Sequence, residues 1–288
     1  MNVLLITALV SGVNFFGAAP LYEEPLANVR SPDTGMTMNT SRYLGDRVYY
    51  LEATIGKNVP VSTLTLRDLS VQFSLQGGAW LILGYDDFAF PMLTQDFFFA
   101  FPLSFKLGQL SGAIKYNHIS SHQGDGFDAL MEEQLTKRER KEIEFYERIA
   151  KQNGVDILLS EPVSYSRDFG SLHLAYDYNV DRAKVRSYVH VGYVHKMIPD
   201  NLKRWFVGAG TEVIYPLRIA SPYYAHDTTY NQDMDSLDYS GELGVVFLTQ
   251  EDSLFEFRIA LTGYVGSDRR GQLVGRKLKQ FGFGFFIR

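Results

Sequence analysis

The stretch Leu110–Asp125, LSGAIKYNHISSHQGD, limits the possible folds most, because two different faces alternate along it. Successive side chains of a β-strand point to opposite faces. One face is apolar and ends in a histidine and a serine: Leu110, Gly112, Ile114, Tyr116, His118 and Ser120. The other face is small and polar: Ser111, Ala113, Lys115, Asn117, Ile119 and Ser121. The apolar face would pack on a core in a soluble sheet, or would contact lipid in a membrane barrel.

The rest of the chain contains more strand candidates, separated by turn residues. The 21 Phe and 18 Tyr residues suit a protein with many strands and with aromatic girdles. About twelve strands are expected, an even number as in single-chain bacterial barrels. The candidates are Arg47–Gly56, Arg67–Gln76, Ala79–Tyr85, Gln95–Phe105, Gly108–Ser121, Leu158–Asp168, Ser171–Val180, Lys184–Lys196, Lys203–Tyr215, Asp238–Gln250, Ser253–Gly266 and Leu278–Ile287.

The connections between these candidates alternate between short and long. If both termini are periplasmic, loops after odd-numbered strands are external and long, and those after even-numbered strands are tight. Gly77-Gly78 and Phe169-Gly170 are short, whereas His122–Ile157 and Pro216–Leu237 are long. A soluble sandwich has no reason to show this alternation. The sequence therefore predicts an all-β fold, a transmembrane antiparallel up-and-down β-barrel of about 12 strands over residues 47–288.

Two N-terminal segments lie outside the strand pattern. Residues 1–19 resemble the apolar region of an export signal, with small residues for cleavage at Gly17-Ala18-Ala19 but without the usual positive start. The alternative is that these residues belong to the mature N-terminal segment. Residues 20–46 are rich in Pro, Glu, Asn, Ser and Asp and are interpreted as an extended periplasmic lead-in.

An external loop is expected over residues 122–157, with a helix at 128–153. Charged pairs four residues apart, such as Glu133–Lys137 and Glu144–Arg148, support this helix. One interpretation is a solvated helix in an extracellular loop. The other is a lid over the neighbouring strand end.

Composition excludes several classes of function. The 28 Lys and Arg against 33 Asp and Glu give a net charge of −5, which provides no basic surface for nucleic acid. Without cysteine the chain has no disulfide, no thiolate chemistry and no Cys-ligated zinc. No apolar run is long enough for a transmembrane helix, and no phosphate loop or Rossmann glycine pattern occurs.

His118 and Ser120 are the candidate catalytic pair. They lie two residues apart on one strand face, roughly 6–7 Å at the backbone, and are expected to face lipid near the outer leaflet. A serine activated by a histidine is the minimum for nucleophilic acyl transfer. Glu161 is the candidate that orients the imidazole. It shares the expected outward face of the next strand with Val163, Tyr165 and Arg167. The alternative is a polar rim in which His118 and Ser120 bond lipid headgroups or loop backbone.

Charged residues on inner strand faces are expected to line the lumen, where opposite charges can pair across water. A barrel of this size has a narrow interior that side chains can largely fill, which argues against a general porin. His173 is expected in a luminal hydrogen-bond network. The expected charged lining is Asp177, Glu212, Glu242, Glu256 and Arg258.

The segment His118–Asp125 resembles the strand-end signature His-x-Ser-Ser-His-x-Gly-Asp of a family of bacterial outer-membrane β-barrels of unknown function. Gly126 follows here where that family usually has Glu. The resemblance extends to Ser164–Asp168, to Asp268–Gln272 and to the N-terminal Leu21–Arg30. It therefore spans nearly the whole chain and implies a bacterial outer-membrane location.

Asn117-His118-Ile119-Ser120 is also similar to the Asn-His-x-Ser of outer-membrane phospholipase A, a twelve-stranded barrel with an outward Ser–His pair. The resemblance implies that His118 is the base and Ser120 the nucleophile. It covers this strand only, and the orienting Asn of that enzyme has no clear match. Asp125 and Asp128 are the candidate ligands for calcium, although a calcium requirement is not visible in the sequence.

Two functions remain open from the sequence. The first is lipid acyl hydrolysis by Ser120 and His118, with outer-membrane lipids as partners and a homodimer as a way to build the pocket. The second is a non-enzymatic structural, ligand-binding or narrow-channel barrel. In either case the candidate binding residues at the rim are Ser121, His122, Asp125 and Arg167.

Overall fold

The computed structural model describes residues 10–16, 19–43, 46–84, 90–124, 165–198, 200, 203–232, 234–247, 256–268, 270 and 277–288. These residues form thirteen antiparallel strands and no helix. The strands are β1 (Val10–Phe15), β2 (Thr34–Tyr43), β3 (Asp46–Leu66), β4 (Leu69–Gly84), β5 (Met92–Leu107), β6 (Leu110–Gln123), β7 (Tyr165–Val180), β8 (Ala183–Ile198), β9 (Trp205–Ile214), β10 (Ala220–Asn231), β11 (Ser236–Phe247), β12 (Phe257–Ser267) and β13 (Lys277–Ile287).

Strands β2 to β13 form a closed barrel. Each pairs with the next along the chain, and β13 pairs with β2 to complete the ring of twelve. Strand β1 is extra and pairs with Ser62–Leu66 at the end of β3, beyond the part of β3 that β2 covers. The all-β barrel of about twelve strands is therefore confirmed.

The two ends of the barrel differ. At the end that we call the turn end, β3–β4, β5–β6 and β7–β8 are joined by two-residue turns whose first residues are Arg67, Gly108 and Asp181. These three residues have φ angles of 54°, 56° and 52°, as tight hairpin turns require. The barrel begins and finishes at this end, and the other end carries the long connection 124–164; we call it the loop end. Bacterial barrels place short turns in the periplasm and long loops outside, so the loop end is external.

The exterior of the barrel is apolar and the interior polar, as membrane barrels require. Phe281, Phe283 and Phe285 of β13 are exposed, as the alternation in the sequence predicts. In the lumen, Arg258 is completely buried and donates to Glu242 over 3.1 Å. Among the described residues, no helix is long and apolar enough to cross a membrane.

The strand count is right although four elements were read differently. Arg67–Gln76 and Ala79–Tyr85, expected as two strands, are one strand, because Gly77-Gly78 lies inside β4 and is not a turn. A Cβ at Gly78 would come within 2.6 Å of the carbonyl oxygen of Ile55, so glycine here allows close approach of β3.

A second expected turn, Phe169-Gly170, lies inside β7, which continues from Tyr165 to Val180. A bulge interrupts its pairing with β8 at this point, because Asp168 pairs with Lys196 and Phe169 with Val194. Bulges of this kind re-aim side chains and are common beside active sites.

The sequence does not predict two strands of the barrel, β2 and β10, nor the extra strand β1. The polar composition of β2 suggested a lead-in, but Thr37, Asn39 and Ser41 are its luminal face. Strand β10 lies within Pro216–Leu237, which the sequence analysis interprets as one long external connection, and it contains Pro222. This proline lies beyond the part of β10 that pairs with β9, so its missing N–H disrupts no bond on that side.

The expected periplasmic lead-in instead enters the lumen. Residues 19–33, which we call the plug segment, contact luminal side chains from the turn end upward. Tyr22, Leu26 and Ala27 are buried, and the carbonyl of Ala27 accepts a hydrogen bond from Ser240 of β11. Ion pairs to the wall hold the segment: Glu24–Lys115, Arg30–Asp96, Asp33–Arg258 and Asp33–Arg288.

Candidate active site

His118 and Ser120 lie on the outer face of β6, close to the loop end. They continue the exposed stripe of Ile114 and Tyr116, and Ile119 between them points inward and is buried. Alternation along a single strand therefore presents the histidine and the serine together to the outside.

Asp168 of β7 lies directly opposite His118 across the strand pair. Its Oδ1 is 2.5 Å from Nδ1 of His118, and the two side chains are 19% and 28% exposed. A carboxylate on Nδ1 fixes the ring orientation and leaves Nε2 for a second partner. The carboxylate that contacts Nδ1 of His118 is therefore that of Asp168, whereas the sequence predicts Glu161 in this role. Glu161 lies outside the described residues.

The imidazole of His118 is held from a second direction by Phe99 of β5. The two rings are stacked with centroids 4.9 Å apart and planes at 25°. Phe99 in turn makes an edge contact with Phe101. With an aromatic ring on one side and a carboxylate on the other, the imidazole is restricted in both tilt and rotation.

Ser120 is half-buried on the same face and lies opposite Ser166 of β7. Within the described residues, its hydroxyl makes no hydrogen bond to His118. Hydrogen bonds between catalytic groups are often long in an unliganded enzyme and tighten when substrate binds. The arrangement can perform nucleophilic acyl transfer if Ser120 turns toward Nε2 of His118.

Three other predicted rim residues have different positions. His122 is exposed on the outer face beside the ring of Phe97. Ser121 is buried on the luminal side. Arg167, expected on the outer face, points into the lumen and lies over the rings of Tyr165 and Phe169. That expectation was wrong because Tyr165 was taken for a lipid-facing aromatic, whereas it belongs to an apolar cluster inside the barrel.

The apolar cluster supports the wall behind the candidate site. Its buried members come from β4 to β8: Trp80, Phe98, Ala100, Ile119, Tyr165, Phe169, Val194 and Met197. The strands that carry Phe99, His118 and Asp168 contribute luminal side chains to this cluster. The wall behind these three outward side chains is therefore closely packed.

A metal ligand set is not visible in the part of the chain that the structure describes, where no group of three or more His, Asp and Glu side chains could hold an ion. The two residues expected to bind calcium, Asp125 and Asp128, lie outside that part, as does the predicted helix at 128–153.

A closed barrel with an apolar outside and a polar inside defines an integral β-barrel of the bacterial outer membrane. The chain belongs to the family described as a protein of unknown function (DUF1207), whose model matches residues 17–287. No curated protein matches it.

Solved structures resemble the fold over nearly the whole chain. Outer membrane phospholipase A from Escherichia coli is 12% identical, with 94% of each chain covered and a TM-score of 0.51. An active-site mutant of that enzyme has the same identity and coverage and a TM-score of 0.50. An outer membrane channel from Pseudomonas putida F1 is 10% identical, covering 94% of this chain and 99% of its own, with a TM-score of 0.45. These likenesses concern the fold.

Proposed function

We propose that this protein is a lipid acyl hydrolase of the outer membrane, with Ser120 as nucleophile, His118 as general base and Asp168 as the group that orients the base. The observation that carries the proposal is the contact between Asp168 Oδ1 and His118 Nδ1 on the outer face, two residues before an outward serine. A histidine between a carboxylate and a serine is the arrangement of serine hydrolases.

The reaction begins when Nε2 of His118 accepts the Ser120 hydroxyl proton as the oxygen attacks the ester carbonyl carbon. Asp168 stabilises the imidazolium that forms. When the tetrahedral intermediate collapses, the imidazolium gives the proton to the leaving alcohol and an acyl-serine remains. Water, deprotonated by the same imidazole, then releases the fatty acid and restores Ser120.

The position of the three residues favours a lipid substrate. They lie on the exterior, close to the external end of the barrel, where an acyl ester of the outer leaflet can approach sideways. Within the part of the chain that the structure describes, the lumen offers no comparable route, because the plug segment contacts the wall from Gln72 near the turn end to Asp96 near the loop end.

The test uses the purified full-length protein in mixed micelles of phospholipid or lipopolysaccharide, each with calcium and with a chelator. We expect release of fatty acid, labelling of the protein by a fluorophosphonate, and loss of both in Ser120→Ala. Ser187→Ala is the matched control, since Ser187 also lies on the outer face but near the turn end.

Two results would overturn the proposal. One is the absence of both hydrolysis and labelling in every lipid and metal condition. The other is activity in Ser120→Ala equal to that of the wild type. The labelling arm does not depend on the choice of lipid, so an unsuitable substrate is distinguishable from an inert serine.

A further inference from the structure

A cavity of about 160 Å³ lies in the loop-end half of the lumen, above the plug segment. Val29 and Arg30 of the plug segment contribute to its lining, and Trp80, Phe169 and Phe206 supply aromatic surface. It is separate from the outward site, because the wall formed by β5, β6 and β7 stands between them. An engineered apolar cavity of about 150 Å³ binds benzene, so this volume is sufficient for one ring.

Arg167 is the unusual charge in this cavity. Its guanidinium lies 5.2 Å from the ring centroid of Phe169 and 5.7 Å from that of Tyr165. Its Nε is buried and has no hydrogen-bond partner. Among the described residues, no carboxylate forms an ion pair with it. A buried donor without a partner costs free energy, which a bound acceptor would recover.

Two other cations border the cavity, and each is paired with a carboxylate. Arg30 pairs with Asp96, and Lys115 pairs with Glu24. On the opposite wall, Asp238 accepts from the hydroxyl of Ser236 and from a backbone N–H. Among the described residues, Arg167 is therefore the one cation of the cavity without a carboxylate partner, and it lies against aromatic surface.

We infer that this cavity binds a small organic monoanion with a planar apolar body, held by a carboxylate on Arg167 and by stacking against the aromatic wall. The guanidinium fork matches a carboxylate in two parallel hydrogen bonds. Aromatic rings prefer offset or edge contacts with a planar ligand, and Trp80, Phe169 and Phe206 provide them. A dianion such as phosphate fits less well, because Asp227, Asp238 and Asp268 also border the cavity.

The experiment uses benzoate as the probe and the full-length protein in detergent. Calorimetry measures affinity, and quenching of Trp80 fluorescence in a Trp205→Phe background reports where the probe binds. Trp205 is exposed on the outer face and is the only other tryptophan. Neutral benzyl alcohol and inorganic phosphate are the comparison probes.

We expect saturable benzoate binding that quenches Trp80 and that weakens by about tenfold or more in Arg167→Gln, since a charge-assisted pair is lost. Arg182→Gln, at an exposed turn-end position, should bind as the wild type does. Benzyl alcohol should bind wild type at least about tenfold more weakly than benzoate, and Arg167→Gln should not change its affinity.

Each opposite result would overturn the inference. These are no saturable benzoate binding, equal affinity for benzyl alcohol, stronger binding of phosphate, or benzoate binding that Arg167→Gln leaves unchanged. The comparison of the three probes uses only the wild type, so it remains decisive if Arg167→Gln does not fold. The inference does not depend on the proposed hydrolase activity, because Ser120→Ala should retain benzoate binding.

Discussion

At the scale of single residues, the composition of the candidate active site depends on which carboxylate contacts His118. Glu161 looked suitable because a glutamate has the right chemistry on the neighbouring strand. The strand register instead brings Asp168 opposite His118, with Oδ1 on Nδ1. One residue of register decides this, since a shift by one would put Arg167 in its place and turn Asp168 into the lumen.

Asp168→Ala should lower kcat by about 100-fold or more and leave KM within about twofold, because general-base catalysis contributes 10²–10⁴-fold and requires an oriented imidazole. Asp168→Asn should retain more activity than Asp168→Ala, since an amide oxygen can still accept from Nδ1. Initial rates over a range of micellar substrate concentration measure both parameters.

The matched control is Asp200→Ala, which removes an exposed carboxylate at the loop end and should leave kcat unchanged. An unaltered kcat in Asp168→Ala would show that the contact with His118 is structural only. A parallel rise of KM and fall of kcat in both variants would instead indicate a general disturbance of the rim.

At the scale of elements, the plug segment has no regular secondary structure, and contacts with luminal side chains hold it in place. Its backbone obtains hydrogen bonds from luminal side chains, as when the N–H of Leu26 donates to Glu212 over 2.6 Å. The pair Glu24–Lys115 joins it to β6, and both side chains are at least nine-tenths buried. Gln76 of β4 donates to the same carboxylate over 3.1 Å. The plug segment stays in the lumen only if each of its buried charges keeps its partner.

Lys115→Met should lower the free energy of unfolding by about 3–5 kcal/mol, because it leaves the Glu24 carboxylate buried without its cation. The double variant Glu24→Gln with Lys115→Met should recover most of this loss, since no charge then remains to be paired. The midpoint and slope of urea unfolding in detergent measure the change.

Lys184→Met is the control at an exposed position and should change the midpoint little. Should the double variant be as unstable as Lys115→Met, the loss would come from packing of the lysine stem and from its contact with the Tyr22 ring, 5.4 Å from the ammonium.

At the scale of the whole molecule, different parts of the chain close the barrel and fill its lumen. The strands close the barrel by pairing β2 with β13. The plug segment closes the lumen, and its C-terminal end is tied to the turn end of the barrel through Asp33, which accepts from Nε of Arg288 over 3.0 Å. Loss of this tie should therefore open the lumen while the barrel remains intact.

Burial alone would raise the pKa of Asp33, but the guanidiniums of Arg288 and Arg258 outweigh it and hold that pKa below its usual value. Because the folded pKa is depressed, the stabilisation by Asp33 is present above the unfolded pKa of about 4 and is lost as pH falls through the folded pKa. We expect a closed lumen in planar bilayers at neutral pH, and conductance events that begin below about pH 4 and increase as the pH falls through the folded pKa of Asp33.

Asp33→Asn should show these conductance events already at neutral pH, since it removes the negative charge. Asp68→Asn, at an exposed turn of the same end, should behave as the wild type. Steady conductance of the wild type at neutral pH would contradict a lumen filled by the plug segment.

The sequence by itself determined the class of fold and the position of the Ser–His pair. Alternation of apolar and polar residues depends only on the two-residue period of a strand, so it can be recognised from the sequence alone. Examples are Phe281, Phe283 and Phe285 and the stripe that ends at Ser120. Strand bounds were less accessible, because Gly77, Gly78 and Gly170 lie inside β4 and β7 and not in turns, and because Pro222 lies inside β10.

The partners across strands and across the lumen were decided only by the tertiary structure. Asp168 meets His118 through the pairing register of β6 with β7, which neither strand specifies on its own. Residues 19–33 enter the lumen because charges far apart in the sequence, such as Asp33 and Arg288, neutralise each other there. Asp33 and Arg288 are 255 positions apart, and local sequence pattern carries no information about such a pairing.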